Sequence, residues 1–126
     1  MASFLNDLGF FVANRVYKTL FLISILIFTF LFARDFRGVS TPMPNADKLV
    51  HFVIFFILAA VMFRAFKLPV YIHLILLAFY GIAIELMQST IPYRSASAAD
   101  VVADFIGAAS FFLLLGVYSL FKKKNG

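Results

Sequence analysis

The chain has 126 residues, of which 63% are hydrophobic and 13% are charged, and its net charge is +5. A water-soluble domain of this length cannot bury so much apolar surface, so we expect an integral membrane protein. The absence of cysteine excludes disulfides and thiolate metal sites, and the basic residues flank apolar runs, a pattern typical of membrane topology and not of nucleic-acid binding.

Four apolar runs are long enough to cross a bilayer, which takes about 17–25 helical residues. The predicted spans are residues 17–33, 49–66, 70–91 and 99–121, separated by segments rich in proline and serine. The first run lacks a cleavage pattern and no internal repeat is visible. The sequence therefore predicts one all-α domain over residues 1–126, a transmembrane four-helix bundle. Before the first span, a shared face of Phe4, Leu8 and Phe11 predicts either a short surface helix or a frayed terminus.

The basic residues divide unequally between the two ends of these spans. One end has Arg15, Lys18, Arg64, Lys67 and Lys122 to Lys124, and the other has Arg34, Arg37, Lys48 and Arg94. The richer end is expected to face the cytoplasm, so both termini are predicted to be cytoplasmic.

Three polar pairs interrupt the apolar runs near their predicted outer ends. They are Asp47 and His51, Glu85 and Gln88, and Asp100 and Asp104. Each pair is three or four residues apart and so lies on one helix face. At the helical rise per residue, Glu85 and Asp104 would lie on the order of 7–10 Å below the outer loops. Ionisable groups at that depth are costly, so we expect them to face the bundle interior or a wet cavity.

Small residues beside these pairs predict close helix packing. Gly81 precedes Glu85 on the third predicted helix, while Ala103 and Gly107 flank Asp104 on the fourth. We therefore expect the third helix to pack against the fourth, with Glu85 near Asp104.

The charges of the predicted site do not balance. Four acids face two bases, namely Asp47, Glu85, Asp100 and Asp104 against Lys48 and Arg94. Either Glu85 or Asp104 holds a proton, or a cation binds, or outer arginines fold over the site. The outermost part of the predicted site, which we call the rim, would instead be positively charged. Two helix N-termini lie there together with Lys48 and Arg94, and such groups suit an anion.

Helix capping is a structural alternative for part of the site. Asp100 can close a capping box with Ser97, and Asp47 can be a first-turn carboxylate. Capping does not explain Asp104, which lies too deep in its helix, or Glu85, which lies near the C-terminal end of its helix. We expect Glu85 to form a salt bridge with Arg94.

The two histidines and Gln88 have different interpretations. We rank His51 first as the hydrogen-bonded partner of an acid, then as a proton carrier, and third as a metal ligand. One histidine with carboxylates is a weak zinc pattern, so no metal is predicted. Gln88 would orient a neighbour by a hydrogen bond. His73 is expected near the inner end and off the Glu85 face, and we assign it no role.

The polar residues together resemble the VanZ-like family across roughly residues 43–110. The residues that carry the resemblance are Asp47-Lys48-Leu49-Val50-His51-Phe52, Tyr80-Gly81, Glu85, Gln88, Arg94, Asp100 and Gly107. The family consists of small bacterial membrane proteins of poorly defined activity, and its namesake is associated with low-level teicoplanin resistance. The resemblance implies a bacterial cytoplasmic (inner) membrane location. Asp104 departs from the pattern, because the family often has asparagine there.

Three functional hypotheses follow. The leading one is an outward-facing site that binds, and could modify, an anionic envelope lipid or lipid-linked precursor, linked to antibiotic tolerance. Its expected ligand-binding residues are Asp47, Lys48, His51, Glu85, Gln88, Arg94, Asp100 and Asp104, and its catalytic candidates are Glu85, His51 and Asp104. No cofactor is predicted, and whether a reaction occurs is open. The alternatives are a proton or cation relay, which would need a homodimer, and a structural scaffold.

Overall fold

The computed structural model describes residues 2–33, 46–90 and 98–125. Within these ranges the chain forms the helices α1 (Ala2–Ala33), α2 (Ala46–Ala65), α3 (Val70–Ser89) and α4 (Ala98–Asn125). Each contains a stretch long and apolar enough to span a membrane, namely Ala13–Ala33, Lys48–Ala65, Val70–Ser89 and Ala98–Lys124. The predicted all-helical architecture is confirmed, with four helices that are each long and apolar enough to span a membrane. The breaks expected at residues 41–44 and 92–95 lie outside the described residues.

Two helices extend well beyond the predicted spans. The segment before residue 13 neither frays nor forms a separate helix, because α1 is continuous from Ala2. At the other terminus α4 continues to Asn125, with Lys122 to Lys124 in its last turn. Cations are favourable there because they face the negative end of the helix dipole. Between α2 and α3, Pro69 begins the new helix: its carbonyl accepts the amides of Ile72 and His73 at 3.0 and 3.3 Å.

Contacts between side chains show that consecutive helices run in opposite directions. The ring of Phe32, in the last turn of α1, lies 4.7 Å from that of His51 near the start of α2. Lys48 Nζ, in the first turn of α2, lies 3.8 Å from Asp100 Oδ1 in the first turn of α4. Gln88, near the end of α3, donates a 3.2 Å hydrogen bond to the Phe32 carbonyl. We call this end of the bundle the polar end.

The opposite end carries most of the basic residues that the structure describes. Lys18 Nζ lies 5.7 Å from the Phe66 ring, and the Arg64 guanidinium lies 6.0 Å from the Tyr17 ring. Both described chain ends, Ala2 and Asn125, also project toward this end. The assignment of this end to the cytoplasm remains a prediction from the positive-inside rule.

The middle of the bundle is an apolar layer. Phe55 and Leu58 of α2 are fully buried, with Leu77 of α3 and Ala108 of α4 beside them. The outer faces are also apolar, as the exposed Leu26 of α1 illustrates. Apolar surfaces of this kind suit contact with acyl chains.

The closest helix approach differs from the one predicted. A Cβ added at Gly107 would clash with the backbone carbonyl oxygen of Phe52, so α4 lies directly against the backbone of α2. The small-residue contact that the sequence assigned to α3 and α4 therefore joins α2 and α4. Glycine is required at this position because any side chain would push the two backbones apart.

Candidate functional site

Five of the buried polar side chains in the described ranges gather at the polar end. They are His51, Glu85, Gln88, Asp100 and Asp104. Four of these, His51, Glu85, Asp100 and Asp104, form what we call the acid–histidine cluster. Three helices supply it: α2 gives the histidine, α3 the glutamate and α4 the two aspartates.

His51 and Asp104 form the tightest contact of the cluster. His51 Nδ1 lies 2.7 Å from Asp104 Oδ1, and the two residues are only 4% and 1% exposed. Because an ionised carboxylate only accepts, an ionised Asp104 takes the Nδ1–H group of His51 as its donor, and Nε2 is the ring nitrogen that faces Asp100. The sequence predicted Asp104 beside Glu85. The hydrogen-bond partner of Asp104 is on α2, and the expected proximity to Glu85 stays a prediction.

The second oxygen of Asp104 occupies the space that Gly81 leaves open. A Cβ at Gly81 would lie 2.8 Å from Asp104 Oδ2 and 3.3 Å from its Cβ. The predicted contact between α3 and α4 is therefore present, and it forms around a carboxylate. Among the described residues, Asp104 Oδ2 has no hydrogen-bond partner.

Asp100 lies one turn nearer the start of α4 than Asp104 does, and it faces α2. Its Oδ2 is 4.0 Å from His51 Nε2, and its Oδ1 is 3.8 Å from Lys48 Nζ. Asp100 is 94% buried, whereas the Lys48 side chain is 36% exposed. The capping role expected for Asp100 stays a prediction. Ser97, the partner of the expected capping box, lies outside the described residues.

Glu85 completes the cluster from α3. It forms a group of three buried residues with His51 and Asp100. Each of the three offers one ligand atom, and these atoms lie within 4.8 Å of one another. Arg94, the expected partner of Glu85, lies outside the described residues. Asp47 is in the first turn of α2, but its side chain is not among those described.

Two residues of α1 that sequence reasoning missed, Phe32 and Thr29, also shape the site. The Phe32 ring is tilted by 35° against that of His51, and its carbonyl accepts from Gln88. Gln88 thus orients α1 and not an acid of the cluster. Thr29 and Tyr80 share a 2.7 Å hydrogen bond one helix turn deeper. One indication of a role for Phe32 was visible in the sequence, namely its position at the predicted outer end of the first span.

His73 corrects another expectation. It was placed off the Glu85 face, but it is 0% exposed and lies on the same buried side of α3 as Glu85. Its ring stacks at 5.6 Å and 27° on Phe112. It lies at the opposite end of the bundle, so it belongs to the packing of that end and not to the cluster.

The geometry permits three kinds of chemistry. An imidazole fixed by a buried carboxylate can accept or donate a proton at its other nitrogen. A partly exposed lysine between two helix N-termini can attract an anion. Carboxylates converging on one histidine nitrogen can hold a cation.

Comparison with known proteins extends over the whole site. The family model described as VanZ/LLP1 matches residues 10–121, a range that includes the entire acid–histidine cluster. An uncharacterized protein of Schizosaccharomyces pombe is 32% identical over 87 aligned positions, which cover 63% of this chain and 52% of the relative. The chain thus matches about half the length of that relative. Comparison with solved structures gives no significant match.

Proposed function

The chain belongs to the VanZ/LLP1 family, and on that premise we propose that its polar end binds an anionic envelope lipid or lipid-linked precursor. The observation that carries the proposal is the 3.8 Å approach of Lys48 to Asp100. It brings the N-termini of α2 and α4 together directly above the buried acid–histidine cluster. An anionic group at the rim would meet a lysine and two positive helix ends.

The surface around this rim suits the rest of a lipid molecule. Val53 of α2 and Phe105 of α4 are exposed on the membrane-facing sides of the helices that carry the cluster. A lipid bound by its headgroup at the polar end could lay its acyl chains along such side chains. A soluble anion would gain nothing from them, which favours a lipid.

The buried cluster would supply acid–base chemistry to the bound group. The sequence favoured Glu85 as the acid–base candidate, helped by His51 or Asp104. The contacts favour His51 instead, because Asp104 fixes its Nδ1 and its Nε2 faces Asp100 at 4.0 Å. In this proposal Asp104 positions the imidazole, and Glu85 stays a second acid–base candidate beside it.

The proposed biological setting is the bacterial inner membrane, with both termini cytoplasmic and the site facing outward. The likeness to a fission-yeast protein favours a ligand chemistry that bacteria and yeast share. A phosphate-bearing membrane lipid meets that condition. Tolerance of glycopeptide or lipopeptide antibiotics would then follow from an altered envelope lipid.

A tolerance assay tests the proposal in cells. A susceptible bacterium that gains glycopeptide tolerance from the wild-type chain should lose it with Glu85→Gln or His51→Ala. His73→Ala is the matched control, since it removes a buried histidine at the other end of the bundle. Site variants that elute as folded protein and retain full tolerance would overturn the proposed role.

The two alternatives receive less support. A proton or cation relay needs a polar path, but below the Thr29–Tyr80 pair the described core is apolar, with side chains such as Phe55, Leu58 and Leu77. Proton flux in proteoliposomes that Glu85→Gln leaves unchanged would remove it. A pure scaffold predicts that Glu85→Gln lowers thermal stability as much as tolerance.

A further inference from the structure

We propose that the polar end holds a divalent transition-metal ion between His51 Nε2 and the carboxylates of Glu85 and Asp100. These three residues come from three different helices. Each offers one ligand atom, and these atoms lie within 4.8 Å of one another. All three side chains are buried, so their convergence is not the incidental crowding of exposed acids.

The orientation of His51 is that of a metal ligand. Its Nδ1 donates to Asp104 at 2.7 Å, and its Nε2 faces Asp100 Oδ2 at 4.0 Å. A histidine that binds a metal through one nitrogen almost always donates its other N–H to a carboxylate or carbonyl, which fixes the tautomer. Asp104 would therefore be a positioning residue that does not touch the ion.

An oxygen of Asp100 provides a second, independent observation. Asp100 is 94% buried, yet its Oδ1 has no hydrogen-bond partner among the described residues. Lys48 Nζ forms an ion pair with this oxygen at 3.8 Å, a distance too long for a hydrogen bond. A partly exposed lysine that makes no hydrogen bond compensates this buried oxygen only in part, and a cation bound by the carboxylate would complete the compensation.

The donor set favours a particular class of ion. One imidazole nitrogen with two carboxylates, and no sulfur, suits Mn²⁺, Fe²⁺ or Zn²⁺ better than Ca²⁺ or a thiolate-bound metal. Two ligands about 2.1 Å from one ion are at most about 4.2 Å apart, so binding would draw the side chains slightly together. Three protein ligands leave coordination positions open.

The open coordination positions would let the ion bind the lipid directly. A phosphate oxygen of the lipid could complete the coordination, and this part of the inference rests on the proposed function. The ion site itself rests only on the three side chains. Sequence reasoning ranked metal ligation third for His51, because spacing along the chain does not reveal that α3 and α4 bring two carboxylates to one histidine.

The test uses the full chain in nanodiscs of zwitterionic lipid, stripped with a chelator and then titrated with Mn²⁺ alone. Equilibrium dialysis should find one ion per chain. His51→Gln should weaken binding at least about 100-fold, while the matched variant His73→Gln should bind as the wild type does. Loss of the positioning carboxylate in Asp104→Asn should weaken binding by about 10–100-fold.

A spectroscopic measurement needs no variant. Pulsed electron paramagnetic resonance of the wild-type chain with Mn²⁺ should show coupling to one histidine nitrogen. Absence of that coupling, absence of a stoichiometric ion, or equal effects of His51→Gln and His73→Gln would overturn the site. Because no anionic lipid is present, ion binding without later retention of anionic lipid would contradict the proposed function alone.

Discussion

Asp104 accepts a hydrogen bond from His51 across the interface of α2 and α4, with Nδ1 and Oδ1 2.7 Å apart and both side chains buried. The bond links the two helices at the depth where the chain carries its acids. It also fixes which nitrogen of His51 faces Asp100 and Glu85. Substitutions that break this hydrogen bond should lower the stability of the α2–α4 interface and change the orientation of His51. Different substitutions should separate these two effects.

Substitutions at Asp104 should separate hydrogen bonding from charge. Asp104→Leu leaves the buried His51 donor without its acceptor and should cost about 1–3 kcal/mol of unfolding free energy. Asp104→Asn keeps a carbonyl acceptor and should cost less than about 1 kcal/mol. Unfolding in mixed micelles measures both values. Equal losses would mean that the hydrogen bond to His51 contributes no stability.

Gly107 offers a test of the closest helix contact. A methyl group there would clash with the Phe52 carbonyl, so Gly107→Ala should cost about 1–3 kcal/mol through forced separation of α2 and α4. Gly116 on the same helix has open space around it, and Gly116→Ala should be neutral or stabilising by up to about 1 kcal/mol. Thermal unfolding should give a lower melting temperature than the wild type for Gly107→Ala and an unchanged or higher one for Gly116→Ala. Similar melting temperatures would contradict the close contact.

Gly81 should be coupled to Asp104. Gly81→Ala places a Cβ 2.8 Å from Asp104 Oδ2, so the carboxylate must move away from its position beside His51. We expect a loss of about 1–3 kcal/mol in the wild-type background. In an Asp104→Ala background the same change should cost clearly less, because the 2.8 Å contact with Oδ2 is gone and only the 3.3 Å contact with the Cβ of residue 104 remains. A double-mutant cycle of unfolding free energies measures the difference, and strict additivity would contradict the coupling.

The existence and depth of the helices could be predicted from the sequence, because uninterrupted apolar runs of membrane length admit few other structures. The prediction that His51, Glu85 and Asp100 lie near the same end of the bundle followed from the predicted topology alone. Their convergence at one end, seen in the contacts of His51 with Asp100 and Asp104, needed only the antiparallel order of the helices.

The rotation of each helix about its axis could not be predicted. Lipid-facing and core-facing positions are both apolar here, so hydropathy does not distinguish Leu58, which is fully buried, from Leu26, which is exposed. That is why Gly107 was assigned to the wrong neighbour and His73 to the wrong face. It is also why the contribution of α1, through Phe32, was not visible.

The central claim is that the polar end binds an anionic lipid through Lys48, and native mass spectrometry from gentle detergent tests it most directly. The full chain, equilibrated with equal amounts of phosphatidylglycerol and phosphatidylcholine, should retain the anionic lipid preferentially. Lys48→Gln should reduce that retention about tenfold, corresponding to about 1.4 kcal/mol. Lys122→Gln, an exposed lysine at the opposite end, should leave it unchanged. Equal retention of the two lipids by the wild-type chain, or equal effects of the two lysine substitutions, would contradict the claim.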